Sequence, residues 1–191
     1  MTLTRKGVVM ASILALSASA GCNSAFDEGE PSAEADYNQT EVMPVMEEAL
    51  AETVEGIPDF PGFHERQWTE SSCLGGFKGQ ESFDEFVELK ITYHLGEEYF
   101  DDSETSEAIA DVLRDHWVGM GFEISQDRET GTGEFETLSA ERDDGVTLSF
   151  NGVGKLNFSA YVGCVDRTDE WDFVPPLDGV EPENDRALEY Q

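Results

Sequence analysis

The central part of the chain alternates apolar and polar residues with the period of a β-strand. The clearest alternation is at 87–95, VELKITYHL, where every second residue is apolar. Because successive side chains of a strand point to opposite faces, this pattern predicts a strand with one buried and one solvated face. Shorter segments of the same kind, separated by glycine-containing turns, predict further strands at 122–128, 135–142, 146–150 and 155–164.

Two other segments have apolar residues spaced by three and four. This spacing brings them onto one side of a helix and predicts two amphipathic helices. The first runs from Glu41 to Gly56, and the second begins near Ser103 or Thr105, either of which is an expected N-cap. The apolar stripes are Val42, Met46, Ala49, Leu50 and Val54 in the first helix, and Ala108, Ile109, Val112, Leu113 and Trp117 in the second.

The order of the predicted elements is helix, strand, helix and then an antiparallel meander. This order predicts an α+β fold, a two-layer sandwich whose helices pack on one face of a mainly antiparallel sheet of four to five strands. The domain is expected to cover 41–165. The segment at 57–68, IPDFPGFHERQW, is interpreted as a connection draped over the core, and the region around Cys73 as a turn. The acidic, proline-containing tail at 166–191 is expected to fray.

Residues 1–21 have the composition of an export signal. Two basic residues precede an apolar segment at 7–16, which is too short to cross a bilayer as a helix, and small residues follow up to Cys22. The box Ser19-Ala20-Gly21-Cys22 resembles the cleavage site of a bacterial lipoprotein signal peptide. The resemblance implies that Cys22 receives a diacylglyceryl group and becomes the N-terminus of the mature chain. The alternative is ordinary cleavage after Ala20, which would release a soluble secreted protein.

Residues 22–40 are rich in Ser, Ala, Glu, Gly and Asp and have no apolar periodicity. This composition predicts a disordered acidic tether between the lipidated cysteine and the domain. The layout resembles that of the small acidic lipoproteins that actinobacterial-type cells display outside the plasma membrane. The resemblance implies attachment to the outer face of the cell membrane through the lipid, and it assigns no activity to the domain.

The chain has three cysteines. If Cys22 carries the lipid, Cys73 and Cys164 remain as one pair in an exported protein, where disulfides persist. Neither of the two is part of a CxxC motif, and no histidine stands at a metal-ligand spacing from either one. We therefore expect a structural disulfide between Cys73 and Cys164, and no metal site.

The formal net charge is −31 at pH 7, from 42 acidic and 11 basic residues. So acidic a surface excludes nucleic acid as a default partner, because phosphate backbones require a basic surface. It also disfavours direct binding of the protein surface to anionic lipid, so membrane attachment is expected to come from the lipid on Cys22. The simplest interpretation of the charge is adaptation to a salty or cation-rich exterior.

The sequence contains no recognisable catalytic motif. Its histidines, His64, His94 and His116, are scattered over different predicted elements, and no serine lies in a GxSxG motif. The acidic residues at 127–134 have the wrong register for a calcium loop, because Leu138 occupies the position of the bidentate glutamate. We therefore expect neither enzymatic activity nor a cofactor. A hydrolase whose site is assembled by the fold is the alternative.

Aromatic residues are concentrated in the predicted connection and the turn that follows it: Phe60, Phe63, Trp68 and Phe77. Loops on a rigid scaffold often carry recognition sites, and aromatic side chains often dominate the energy of those sites. One hypothesis is that these rings line a binding site for an envelope protein, a peptide or a small ligand. The alternative is that they complete the core. The sequence thus predicts a lipid-anchored, non-enzymatic binding protein and does not identify its ligand.

Overall fold

The computed structural model describes residues 37–75, 81–168 and 173–187. The signal segment, Cys22, the tether up to residue 36 and Phe77 lie outside the described residues. The main elements are α1 (Gln39–Glu55), β1 (Glu65–Gly75), β2 (Glu81–His94), α2 (Ser103–Gly119), β3 (Glu123–Glu129), β4 (Phe135–Glu141), β5 (Thr147–Asn151) and β6 (Asn157–Asp166), with short 3-10 helices at Glu97–Tyr99 and Pro182–Asn184.

The strands form one sheet in the order β1-β2-β6-β5-β4-β3, and every neighbouring pair is antiparallel. Helix α1 packs on β2 and β6, while α2 packs on β3 and β4. Trp117 of α2 donates a hydrogen bond to the Thr53 hydroxyl of α1 over 3.2 Å, so the helices lie side by side. The predicted α+β class is confirmed, although the sheet has six strands and not four to five.

The strand that the sequence pattern did not predict is β1, at the edge of the sheet beside β2. Its inward positions include Arg66 and Trp68, which are both buried, whereas Gln67 and Thr69 are exposed. A charged residue at an inward position breaks the alternation of apolar and polar residues on which strand prediction depends. The last residues of the predicted connection, from Glu65 onward, are instead part of a strand that pairs with β2, and Trp68 lies opposite Ile91.

Helix α1 begins at Gln39, earlier than predicted, because Asn38 caps it. The Asn38 side chain accepts hydrogen bonds from the backbone N–H groups of Thr40 and Glu41 over 2.9 and 3.0 Å. The Glu41 carboxylate accepts one in return from the Asn38 N–H over 3.2 Å. This capping box pairs N–H groups that the helix leaves without a partner. The last residues assigned to the tether, 38–40, thus belong to the domain.

Helix α2 is capped by Asp102, and not by Ser103 or Thr105. One oxygen of the Asp102 carboxylate accepts a hydrogen bond from the Thr105 N–H over 3.1 Å, and the other accepts one from the Thr105 hydroxyl over 2.7 Å. These hydrogen bonds lower the pKa of Asp102. Thr105 is therefore the partner of the cap, and the negative charge stands at the positive end of the helix dipole.

The segment at 173–187, which was expected to fray, packs against the helix side of the domain. Arg66 is fully buried and donates two hydrogen bonds to the Asp185 carboxylate, over 2.9 and 2.8 Å. It donates two more, to the Glu47 carboxylate over 2.6 Å and to the Val174 carbonyl over 2.8 Å. One guanidinium thus joins α1, β1 and the C-terminal segment.

Tyr93 completes this buried cluster. Its hydroxyl donates a hydrogen bond to Glu47 over 2.6 Å and accepts one from the Leu177 N–H over 3.0 Å. Burial raises the pKa of Glu47, although the hydrogen bond from Tyr93 and the charge of Arg66 oppose the change. Burial and the neighbouring Glu47 carboxylate also raise the pKa of Tyr93. Because the polar groups of the cluster bind one another, we interpret it as a structural tie.

Candidate functional site

The predicted disulfide between Cys73 and Cys164 is confirmed. The two Cα atoms are 5.8 Å apart, and both side chains are buried. Among the described residues, the one cluster with a possible set of metal ligands consists of these cysteines and Glu88. Because the two sulfurs are bonded to each other, they are not available as thiolate ligands, and the cluster is a covalent staple.

The predicted aromatic site lies mostly in the core. Phe63 and Trp68 are 4% and 2% exposed, so neither ring is accessible to a ligand in the folded domain. Phe63 packs against Phe60, Tyr93 and Phe158, with ring centroids 4.9, 4.6 and 5.7 Å apart. Phe60 is half-buried, and Phe77 lies outside the described residues. We therefore do not retain Phe63 and Trp68 as ligand contacts.

The histidines have separate surroundings. His64 is exposed, and His94 lies on β2, where burial lowers its pKa and its Nδ1 has no hydrogen-bond partner among the described residues. His116 Nε2 is 3.0 Å from the Glu52 carbonyl oxygen. None of the hydrogen bonds within the described residues joins a histidine to a carboxylate or a hydroxyl, which is the arrangement that activates a nucleophile.

A cleft lies where the loop at 57–62 faces the start of α2. It has two chambers, each about 340 Å³ in volume, that share Pro61 and Tyr99. This volume falls within the roughly 300–1,000 Å³ range of small-ligand sites. The chamber against α2, which we call the apolar chamber, is lined by Ile57, Pro58, Asp59, Pro61, Tyr99, Thr105, Ala108, Ile109 and Val112.

The second chamber, which we call the acidic chamber, lies between the residues at 61–64 and those at 96–99. Its ionisable side chains are His64, Glu97 and Glu98, and all three are exposed. The Glu98 carboxylate lies so close to Gly96 that an added Cβ would overlap it. A ligand that filled both chambers would meet an apolar surface at one end and negative charge at the other.

Two aspartates beside the apolar chamber have a left-handed backbone. The φ angles are 53° at Asp59 and 52° at Asp101. Residues other than glycine rarely adopt such positive φ angles, and among them Asn and Asp do so most readily. The Asp101 N–H donates to the Gly154 carbonyl, and the Gly154 N–H donates to the Asp101 carboxylate, each over 2.9 Å. Backbone conformations of this kind concentrate at functional sites, which favours a ligand role for the adjoining chamber.

The residues that precede Asp101 and Gly154 both carry exposed apolar side chains. Phe100 is 61% exposed and Val153 is 45% exposed. They directly precede the two joined residues, and Phe100 directly follows Tyr99 of the chamber wall. Exposed apolar side chains that adjoin an apolar hollow enlarge the surface a partner can cover.

The sequence carried one signal of this site, at the edge of the apolar stripe of α2. Ile109 and Leu113 are buried as predicted, but Ala108 is exposed and Val112 is half-buried. Residues at the margin of a helix stripe face away from the centre of the core, and here they form a chamber wall. Tyr99 and Pro61 were not singled out, because their role depends on the packing of the loop against α2.

No protein-family model, curated protein or solved structure matches this chain. Among the helices of the described residues, none has the length and apolar character needed to cross a membrane. The assignment of a site therefore depends on the geometry of the cleft.

Proposed function

We propose that this chain is an exported lipoprotein whose α+β domain is a non-enzymatic binding module. The lipid on Cys22 holds it at the outer face of the cell membrane, and the cleft takes part of an envelope protein, a peptide or a small ligand. The observation that carries the proposal is the pair of neighbouring chambers, one apolar and one acidic, which share Pro61 and Tyr99.

The contrast between the chambers favours a ligand with an apolar body and a cationic end. In a chain with 42 acidic residues, Asp59 is the one carboxylate among the described residues that line the apolar chamber. Apolar side chains in such a hollow bind by removing apolar surface from water. Glu97 and Glu98 face the adjoining chamber and attract a basic group, and the negative charge of the whole domain steers cations toward it.

Filling the apolar chamber is expected to abolish binding without unfolding the domain. Ala108 is exposed on α2, so a tryptophan at this position enters the chamber and does not displace the core. We expect Ala108→Trp to bind the neutral fluorophore N-phenyl-1-naphthylamine at least about tenfold more weakly than the wild type in a fluorescence titration. Val118→Trp is the matched control, because Val118 is exposed on the same helix and does not line the chamber.

Equal titration curves for the wild type and Ala108→Trp, with equal melting temperatures, would show that the chamber is not a ligand site. The assigned ligand class has its own readout. A displayed peptide library selected on the wild type and depleted on Ala108→Trp is expected to be enriched in apolar residues next to Lys or Arg. Enrichment in acidic peptides would contradict the role of the acidic chamber.

Lipid attachment is expected to depend on one side chain. Full-length Cys22→Ala, expressed in a bacterium that processes lipoproteins, should move from the detergent phase to the aqueous phase in phase partitioning. Two acyl chains hold a protein on a bilayer, whereas a domain of this charge has no affinity of its own for anionic lipid. Recovery of both proteins in the aqueous phase would favour ordinary cleavage after Ala20, and it would leave the cleft proposal unaffected.

A further inference from the structure

The face of the sheet opposite the helices carries almost exclusively polar side chains. Both helices and the segment at 173–187 pack on the other face, so no described element covers this one. The register brings one straight row of hydroxyl and amide side chains together across the middle strands. In order from β1 to β3, this row consists of Gln67, Thr92, Ser159, Ser149, Ser139 and Gln126.

The centre of this row is the floor of a hollow of about 450 Å³, which we call the polar hollow. Ser159 and Ser139 are 4% and 7% exposed, although they lie on the uncovered face, so the larger side chains around them form walls. The Oγ atoms of Ser139 and Ser149 are 2.8 Å apart and share a hydrogen bond. Lys90, Tyr161 and Gln126 stand around these serines.

The polar hollow differs from the rest of the molecule in charge. The chain has 42 acidic residues, yet none of the described residues that line the hollow carries a carboxylate. Lys90 is exposed and makes no hydrogen bond or ion pair with a described residue. The other basic side chains within the described residues form ion pairs with carboxylates, with the exception of Arg167. A ligand in the hollow therefore meets neutral hydroxyls and one available positive charge.

We propose that the polar hollow is a saccharide-binding site. A hydroxyl group both donates and accepts hydrogen bonds, so the more accessible hydroxyls of the lining, on Ser125, Thr147 and Ser149, match a ligand whose own groups are hydroxyls of the same kind. Half-buried Tyr161 also lines the hollow and adds aromatic surface to it. Lys90 donates to sugar oxygens or pairs with an acidic sugar. Peptides with large apolar side chains and apolar ligands match this lining less well, because Tyr161 is the one aromatic side chain among its described residues and none of them is aliphatic.

This site is separate from the cleft and does not depend on the proposed function. It lies on the opposite side of the sheet and shares no lining residue with either chamber. A domain that binds a saccharide on one face and a peptide or small ligand at the other would link an envelope glycan to a second component. Failure of either site leaves the other standing.

The test is a titration of the full-length protein, in detergent, with cellotriose, maltotriose and triacetylchitotriose by calorimetry. We expect saturable binding of at least one of these sugars with a Kd below about 1 mM. Ser149→Trp fills the hollow and should abolish it. Ser71→Trp is the matched control, because Ser71 is exposed on the same face and does not line the hollow, and it should bind like the wild type.

If Ser149→Trp fails to fold, the Lys90→Ala variant tests whether the sugar binds in the polar hollow. The Lys90 side chain is exposed and makes no hydrogen bond or ion pair with a described residue, so we expect Lys90→Ala to fold like the wild type and to bind the sugar about tenfold more weakly. Three outcomes would overturn the proposal: no binding of any of the three sugars, equal binding by Ser149→Trp and the wild type, or equal loss in Ser149→Trp and Ser71→Trp.

Discussion

Asp185→Ala is expected to lower the free energy of unfolding by about 3–5 kcal/mol, because it leaves the Arg66 guanidinium buried with its main partner removed. Arg66 has no exposed surface, and the Asp185 carboxylate accepts two of its hydrogen bonds. The charge cannot be relieved by deprotonation, since arginine remains protonated in proteins. Chemical denaturation followed by circular dichroism measures the change.

Asp178→Ala is the matched control, because Asp178 is exposed in the same C-terminal segment and should change the stability by no more than about 0.5 kcal/mol. Hydrogen exchange adds a local readout. In Asp185→Ala the amide of Leu177, which donates to Tyr93, should exchange faster than in the wild type. If both variants unfold at the same denaturant concentration as the wild type, the segment at 173–187 does not hold the domain together.

Removal of the disulfide is expected to lower the free energy of unfolding by about as much as Asp185→Ala does. The bond between Cys73 and Cys164 closes a loop with a sequence separation of 91, for which restriction of the unfolded chain contributes about 4–5 kcal/mol. The bond also joins the edge strand β1 to β6, and β2 lies between these two strands in the sheet. The pairing of β2 with both neighbours shifts register in this region. The double variant Cys73→Ala/Cys164→Ala should therefore unfold at a much lower urea concentration than the wild type.

Wild-type protein in the presence of dithiothreitol provides the control, because reduction removes the bond and leaves both side chains in place. Reduced wild type and the double variant should unfold at similar urea concentrations, and oxidised wild type should unfold at a much higher one. A difference of less than about 1 kcal/mol between oxidised wild type and the double variant would mean that the bond contributes little to the fold.

The elements that the sequence predicted are those whose pattern lies within consecutive residues. The alternation at 87–95 marks β2, and the stripe from Ile109 to Trp117 marks α2, because each period is a property of the local backbone. The prediction missed β1 because the stability of this strand depends on residues that are distant in the sequence. Arg66 occupies an inward position that is stable only because Glu47 and Asp185, far away in the chain, supply its partners.

The same distinction applies to the candidate sites. The sequence showed that aromatic residues cluster at 60–77, but only packing decided that Phe63 and Trp68 are buried while Tyr99 lines the cleft. The sequence predicted the N-cap of α2 at Ser103 or Thr105, one and three residues after the actual cap. The structure shows that Asp102 is the cap, because its side chain accepts the hydrogen bond from the Thr105 N–H.

By itself the sequence determined the α+β class and the acidic composition, because composition and period are properties of the chain alone. It predicted the pairing of Cys73 with Cys164 on the premise that Cys22 carries the lipid, and the structure contains that bond. Only the tertiary structure decided the burial of Arg66, the packing of 173–187, the two neighbouring chambers and the serine row beside Lys90. Each of these depends on the depth and register at which distant residues meet. Burial and register follow from the packing free energy of the whole domain, which no local period encodes.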